Sequence, residues 1–328
     1  MIRVLYRSYE GILHTDFKEF QLADAILERE GLLWLDMVNE PKDACIHILR
    51  DVFGFHPLAI DDALEESHVP KVDDWGEYLY LVLHGIVFNS GEEELLSTNE
   101  LDIFLGANYL VTYRLDDMPG LERVWETCQR DERLMQRSAG NLLYRVADEI
   151  VTNYMPVVDE IDEQVDQIED ILFDRPQPQV LERIFSLKRA LLHLRRIISP
   201  QREVLNKLGR GDFSGIPEDE RVFFRDVYDH LVRLYDIAEG LRDLVGGALE
   251  TYLSVVSNRM NEVMKILAVI TTLFMPISFL SGFFGMNFFQ PVTALTGWTE
   301  RLTFFVVLAG MVAIPFGMFL WMRRREWM

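Results

Sequence analysis

Three groups of residues in this chain have types and spacings suited to handling cations. The first is Gly285-Met286-Asn287, at the end of the uncharged apolar run 266–284. An Asn amide offers a neutral oxygen. A ring of such oxygens, together with backbone carbonyls, can hydrogen-bond the water shell of a cation. Magnesium dehydrates reluctantly, so a neutral ring of the right diameter suits the hydrated ion better than a ring of carboxylates. Gly285 permits the sharp turn that ends a helix. The second group is a stripe at three- and four-residue spacing: Asn261, Met264, Ala268, Thr271, Met275, Ser278 and Gly282. That spacing places them on one helical face, and bulky apolar residues such as Ile266, Ile270, Phe274 and Phe279 surround them. A polar stripe inside a membrane must face protein or water. It is either a surface for close helix packing or one wall of a pore built from several copies, since two helices from one chain enclose no path. The third group is the acidic run 159–174, with Asp159, Glu160, Asp162, Glu163, Asp166, Glu169, Asp170 and Asp174 and no basic residue. It is either a solvated charged face or a surface turned towards metal ions.

Other chemistry finds little support. No nucleophile–base signature or phosphate-binding glycine loop is present, which argues against an enzyme and against an ATP-driven pump. Cys45 and His47 resemble half of a zinc site without a matching pair. Cys45 and Cys128 read as reduced core thiols, and His56 as a buried or helix-capping side chain rather than a ligand.

These groups need elements to hold them. Residues 266–284 and 302–322 are each long enough to cross a bilayer as a helix, which takes about 20 residues. Trp298, Trp321 and Trp327 sit near the ends of the second span, as interfacial anchors do. Arg259 and Lys265 precede the first span and Arg323-Arg324-Arg325 follow the second, while the connecting loop carries only Glu300 and Arg301. The positive-inside rule then puts both chain ends in the cytoplasm, and no secretory stretch opens the chain. The remainder is acidic, with a net charge of -21 over the whole chain. That charge disfavours nucleic acid, whose phosphates need Lys and Arg, and favours attraction of cations.

Along the first ~115 residues, runs 2–6, 32–38, 78–88 and 101–113 have strand character, and 17–29, 43–52 and 57–66 have helical spacing. Helical texture follows from about residue 116, broken at Gly140, at 175–178 and at the glycine-rich turn 209–217. Pro217 suits a first helical turn, with Glu218, Asp219 and Glu220 behind it. From there to Pro276 no proline intervenes. The apolar spacing predicts one helix of roughly 90 Å running into the first span. The alternative is two helices broken at Gly246-Gly247. The acidic run and the next segment, with Arg183, Lys188, Arg189, Arg195 and Arg196, predict an antiparallel hairpin of opposite charge.

Several motifs together resemble the CorA family of divalent-cation channels, and the resemblance covers nearly the whole chain. They are Phe55-His56-Pro57-Leu58-Ala59-Ile60-Asp61-Asp62, Val69-Pro70-Lys71-Val72, Leu101-Asp102-Ile103-Phe104-Leu105-Gly106, Pro200-Gln201-Arg202-Glu203, the segments 225–230 and 257–265, Phe274-Met275-Pro276, and Phe284-Gly285-Met286-Asn287-Phe288. The resemblance implies an α+β fold and a funnel-shaped homopentamer. The expected parts are a cytoplasmic α/β domain (1–115), a cytoplasmic helical region with the acidic hairpin (116–216), and a long stalk helix continuing into the first span (217–284). An extracytoplasmic loop (285–301), a second span (302–322) and a basic cytoplasmic tail (323–328) follow. Gly285, Met286 and Asn287 match the selectivity filter. Asn261 and Ser278 match further polar rings, and Met264, Leu267 and Met275 match hydrophobic constrictions. The family thus places Leu267 in the pore where the stripe takes Ala268. Asp61 and Asp62 facing Asp226 across a subunit boundary, with Asp148 at a second site, match regulatory metal ligands. The implied ion is magnesium, both regulatory and transported, with cobalt, nickel and zinc as further candidates. The implied partners are four further copies and the lipid bilayer.

The chain departs from the family pattern after the filter. Many members follow the Asn with an acidic loop containing Met-Pro-Glu-Leu, but here 288–298 has no carboxylate before Glu300. Attraction of cations to the outer mouth is weaker for it. A zinc transporter of the same architecture and a membrane-tethered sensor that conducts nothing both remain open at this stage.

Overall fold

The computed structural model describes residues 1–15, 21–65, 69–91, 94–172, 177–213, 215–286 and 301–325. Asn287, the loop 288–298, Glu66, Arg175-Pro176, Trp327 and the start of the helix expected at 17–29 lie outside the described residues. The chain divides into two units, Met1–Leu249 and Glu250–Met328.

The first unit is built on β1 (Ile2–Arg7), β2 (Leu13–His14), α1 (Leu22–Leu27), β3 (Leu32–Val38), α2 (Lys42–Ile46), α3 (Pro57–Leu64), β4 (Lys71–Asp74), β5 (Leu79–Phe88), β6 (Leu96–Leu105) and β7 (Tyr109–Arg114). The strands form one sheet in the order β2-β1-β3-β7-β6-β5-β4. β3 and β7 pair in parallel and every other neighbouring pair is antiparallel. Strand alternation divides the side chains between two faces. On one face Leu33, Leu35, Met37, Tyr80, Val82, Phe104 and Val111 pack with residues of α1, α2 and α3, and Phe55 stacks on Phe104. On the other, Trp34 meets Trp125 of α4 (Pro119–Arg130) edge to face at 4.8 Å.

That second face also buries charge. Asp36 of β3 and Arg114 of β7 are both fully buried and lie 3.3 Å apart. Arg3 of β1 bonds Asp36 (2.9 Å) and Glu122 of α4 (2.7 Å), and its guanidinium lies over the Trp125 ring. Arg114 pairs with Glu122 as well. An isolated buried ion is costly, and this set closes on itself.

α5 (Ala139–Thr152), α6 (Tyr154–Leu172) and α7 (Pro178–Arg210) complete this unit, joined by the first part of α8 (Arg221–Gly285). Two buried polar groups tie the sheet to these helices. The Tyr154 hydroxyl donates to the His84 carbonyl (2.6 Å), and the His84 amide donates to Gln201 of α7 (2.8 Å). The second unit holds the rest of α8 and α9 (Arg301–Arg324).

Several elements differ from the sequence expectation. The run 101–113 is two strands, β6 and β7, because Gly106 turns the chain and its amide donates to the Tyr109 carbonyl (3.0 Å). A Cβ at Gly106 would lie 2.2 Å from the Tyr109 ring, so only glycine fits. Gly140 does not break a helix. It lies in the first turn of α5, whose N-cap Ser138 accepts from the Asn141 amide (3.0 Å). Residues 43–52 form α2 followed by a π-helical turn, His47–Val52. Strand β4 has no apolar alternation and was not expected as a strand. α8 begins at Arg221, after a turn in which the Glu220 amide donates to the Pro217 carbonyl (3.1 Å). It runs without interruption through Gly246-Gly247 and Pro276. The acidic and basic helices α6 and α7 do adjoin, yet Arg183 bonds the amide oxygens of Gln164 and Gln167 instead of carboxylates. Arg195 pairs with Glu239 of α8.

Candidate metal-binding and permeation sites

Helix α3 positions the first acidic pair. Pro57 occupies its first turn, and the His56 ring accepts at Nδ1 from the Leu58 amide (3.2 Å), so His56 is the cap. The same ring stacks on Trp75 at 4.5 Å. Ala59, Ile60, Ala63 and Leu64 face the core. Asp61 is therefore left exposed and Asp62 half-buried. Asp62 forms an ion pair with Lys71, the first residue of β4, and Lys71 also lies 3.3 Å from Asp73. Burial pulls the Lys71 ammonium down, but Asp62 and Asp73 outweigh it and hold it above its ordinary value. Beneath it, Tyr80 donates to Asp102 at 2.6 Å. Burial raises the Asp102 carboxyl well above the usual carboxylate range, and Glu100 and Asp62 add to the rise against Tyr80 and Lys71.

Asp226 and Asp148 form a separate acidic patch. Asp226 is exposed on α8, and Asp148 is half-buried on α5. Burial raises the Asp148 carboxyl, Asp226 and Glu149 raise it further, and His230 and Arg145 oppose them. Two tethers fix α8 here. Arg225 donates to the Gly209 carbonyl of α7 (2.9 Å), and Phe223 stacks on Tyr144 of α5 at 5.0 Å. Within one chain, then, Asp61 and Asp62 belong to α3 on one sheet face, and Asp148 and Asp226 belong to the helices. Among the described residues no three His, Cys, Asp or Glu side chains converge as a metal site. Each patch offers one or two carboxylates, the number magnesium often takes beside its waters.

The Cys45–His47 pair is no zinc half-site. Both cysteines are buried and free, and burial pushes the Cys45 thiol up to about 11. His47 turns outward to Asp51 at 2.7 Å.

The lower part of α8 carries the stripe. Asn261, Met264, Leu267, Ala268, Thr271, Met275, Ser278 and Gly282 are all exposed in the single chain, as are Gly285 and Met286. The Thr271 hydroxyl donates to the Leu267 carbonyl (2.9 Å), so its donor is satisfied within the helix. α8 and Phe305–Arg324 of α9 are long and apolar enough to cross a membrane. The apolar window of α8 buries nothing within the chain.

The sequence profile described as CorA-like Mg2+ transporter protein matches residues 29–324. The chain belongs to this family. The cobalt/magnesium transport protein CorA of Thermotoga maritima is 32% identical over 320 residues, covering 95% of this chain and 90% of the relative. The zinc transport protein ZntB of Yersinia enterocolitica is 23% identical over 313 residues, covering 93% and 90%. The complete structure of the CorA magnesium transporter from Methanocaldococcus jannaschii superimposes with a TM-score of 0.84 at 23% identity, covering 99% of this chain and 98% of that one. This CorA-family protein is thus a divalent-cation transporter with a soluble α/β unit, a long helix and C-terminal apolar membrane helices.

Sequence reasoning missed the Lys71 and Tyr80–Asp102 groups behind the Asp62 carboxylate. Lys71 depends on β4 folding back beside β5, and a four-residue strand reading Lys-Val-Asp-Asp gives no periodic signal, while Tyr80 and Asp102 meet across the β5–β6 pair.

Proposed function

We propose that this protein is a homopentameric, funnel-shaped uptake channel for hydrated magnesium, passing cobalt and nickel as well. It lies in the inner membrane with both chain ends in the cytoplasm. The observation that carries the proposal is the continuity of α8. One unbroken helix bears Asp226 near its start and the polar stripe near its end. An ion bound at the first can therefore bias the second along one helix.

In this reading Asn287, with Gly285 and Met286, forms the outer selectivity ring. Asn261, Thr271, Ser278 and Gly282 line the path. Met264, Leu267 and Met275 close it, since a narrow apolar ring stops ions by dewetting. Asp61 and Asp62 of one subunit face Asp226 of its neighbour, with Asp148 as a second site. Magnesium bridging these carboxylates holds the subunits together and the pore shut. When the ion leaves, like charges across the boundary repel and the equilibrium moves towards the open pore.

The decisive experiment measures magnesium flux into proteoliposomes. Asn287→Ala should abolish flux while leaving a folded oligomer. Flux at the parental rate in that variant would remove the channel reading and leave a membrane-tethered sensor.

A second reading, zinc transport, is favoured by the absence of carboxylates in 288–298 and by the likeness to ZntB. Comparing magnesium, cobalt and zinc flux, with and without a pH gradient, separates the two. Zinc flux that exceeds magnesium flux and follows the proton gradient would decide for zinc.

A further inference from the structure

Lys71 is held more tightly than a surface lysine usually is. Its ammonium is ion-paired to Asp62, lies 3.3 Å from Asp73 and sits 5.2 Å from the centre of the Tyr80 ring. Only 29% of its side chain is exposed. The β4–β5 pairing places it there, with Lys71 opposite Val82 and Asp73 opposite Tyr80. Residues two apart on a strand share a face, so Lys71 and Asp73 stand together over the tyrosine. The lysine thus occupies one of the two neighbouring carboxylates that α3 presents. Asp61, its neighbour, is exposed to solvent.

A carboxylate that already accepts an ammonium has much of its charge balanced. A divalent ion arriving at Asp62 must displace that ammonium or bind against its repulsion. We propose that Lys71 is the resident counter-ion of Asp62 and competes with the divalent ion for it, setting the ion concentration at which the channel closes. The proposal rests on the reading of Asp62 as a regulatory ligand. It assigns Lys71 a positioning role, with no direct contact to the ion. The simpler role for Lys71 is to pin β4 to α3, and the two roles predict opposite signs. If the ion pair only supports the fold, removing the ammonium loosens Asp62 and weakens metal binding. If Lys71 competes, removing it strengthens binding.

The test titrates magnesium into the detergent-solubilised full-length protein. Tryptophan fluorescence follows binding, with Trp75 beside this site as a natural reporter, and resistance to trypsin gives a second signal. Lys71→Met and Lys71→Gln should move the midpoint to magnesium concentrations about tenfold lower. Lys71→Arg, which keeps the charge, should stay within about twofold of the parent. Either neutral variant that melts near the parental temperature in chelator suffices, so a folding defect in one does not end the test. A midpoint unchanged or raised in the folded neutral variant overturns the proposal. Asp62→Asn, run in parallel, isolates the reading beneath it. A parental midpoint in that variant removes Asp62 as a ligand altogether. A shifted midpoint there, with none in the lysine variants, sinks only the competition.

Discussion

A single buried acid shows how side chains here trade stability for charge. Asp102 is almost wholly buried, and its carboxyl is held above the ordinary range chiefly by that burial. A carboxyl whose folded value is raised binds its proton more tightly when folded. Its contribution to stability is complete below about pH 4, the unfolded range, and is lost as pH rises through the folded value. Asp102→Asn keeps an oxygen for the Tyr80 hydroxyl and cannot ionise. That variant should melt higher than the parent at pH 8, by roughly 1–3 kcal/mol, and the gap should shrink towards pH 5. Parallel pH curves for variant and parent would show that the Asp102 proton does not matter. Residues such as Asp102 are legible in sequence only as motif members. Burial arises from a sheet whose edges lie far apart along the chain, and local spacing carries no trace of it. His56 was easier, because a polar residue directly before Pro57 and an apolar helical run marks a cap.

At the scale of elements, α8 is the one on which the proposed mechanism depends. Gly246 and Gly247 interrupt its propensity without interrupting the helix. A Cβ at either would meet nothing within 4 Å in the chain. Gly246→Ala and Gly247→Ala should therefore each stabilise the protein by about 0.5–1 kcal/mol, seen as a higher melting temperature. A lower melting temperature would mean that a neighbouring copy packs against the bare backbone. The helix itself was readable from its apolar spacing and the absence of proline between Pro217 and Pro276. The helix starts four residues after Pro217, which fits a turn as well as a first helical position. Run 101–113 reads as one strand because apolar residues continue on both sides of Gly106, and hydropathy does not record the reversal. The short strand β4 was invisible because its residues are mostly charged and its partner supplies the pairing. The stripe on α8 takes Ala268 where the family resemblance takes Leu267, because a mixed three- and four-residue spacing admits either, and both are exposed in the single chain.

The whole molecule places two acidic patches in one chain and, in the proposed pentamer, joins them only between copies. Closure by magnesium then needs both partners of the boundary. The double variant Asp62→Asn/Asp226→Asn should leave the pore conducting at magnesium concentrations that shut the parent, measured as flux into liposomes. Closure that persists would mean the regulatory ions bind elsewhere. The net charge of -21 on each chain works in the same direction, since a strongly acidic oligomer concentrates cations around itself. The buried ion set beneath the sheet has a consequence of another kind, for the order in which the protein is made. Asp36 and Arg114 stand 78 residues apart in the chain, on strands that pair in parallel. Until β7 has left the ribosome, Asp36 has only Arg3 of β1 as a base, and the fully buried Arg114 that completes the set is missing. Once residue 122 has emerged as well, Asp36, Arg3, Arg114 and Glu122 can be buried together. More than 140 residues remain to be synthesised before the apolar part of α8 appears. The water-soluble sheet thus has everything it needs to close before any membrane-bound segment exists, and the nascent chain need never show its apolar helices to an unfolded sheet edge.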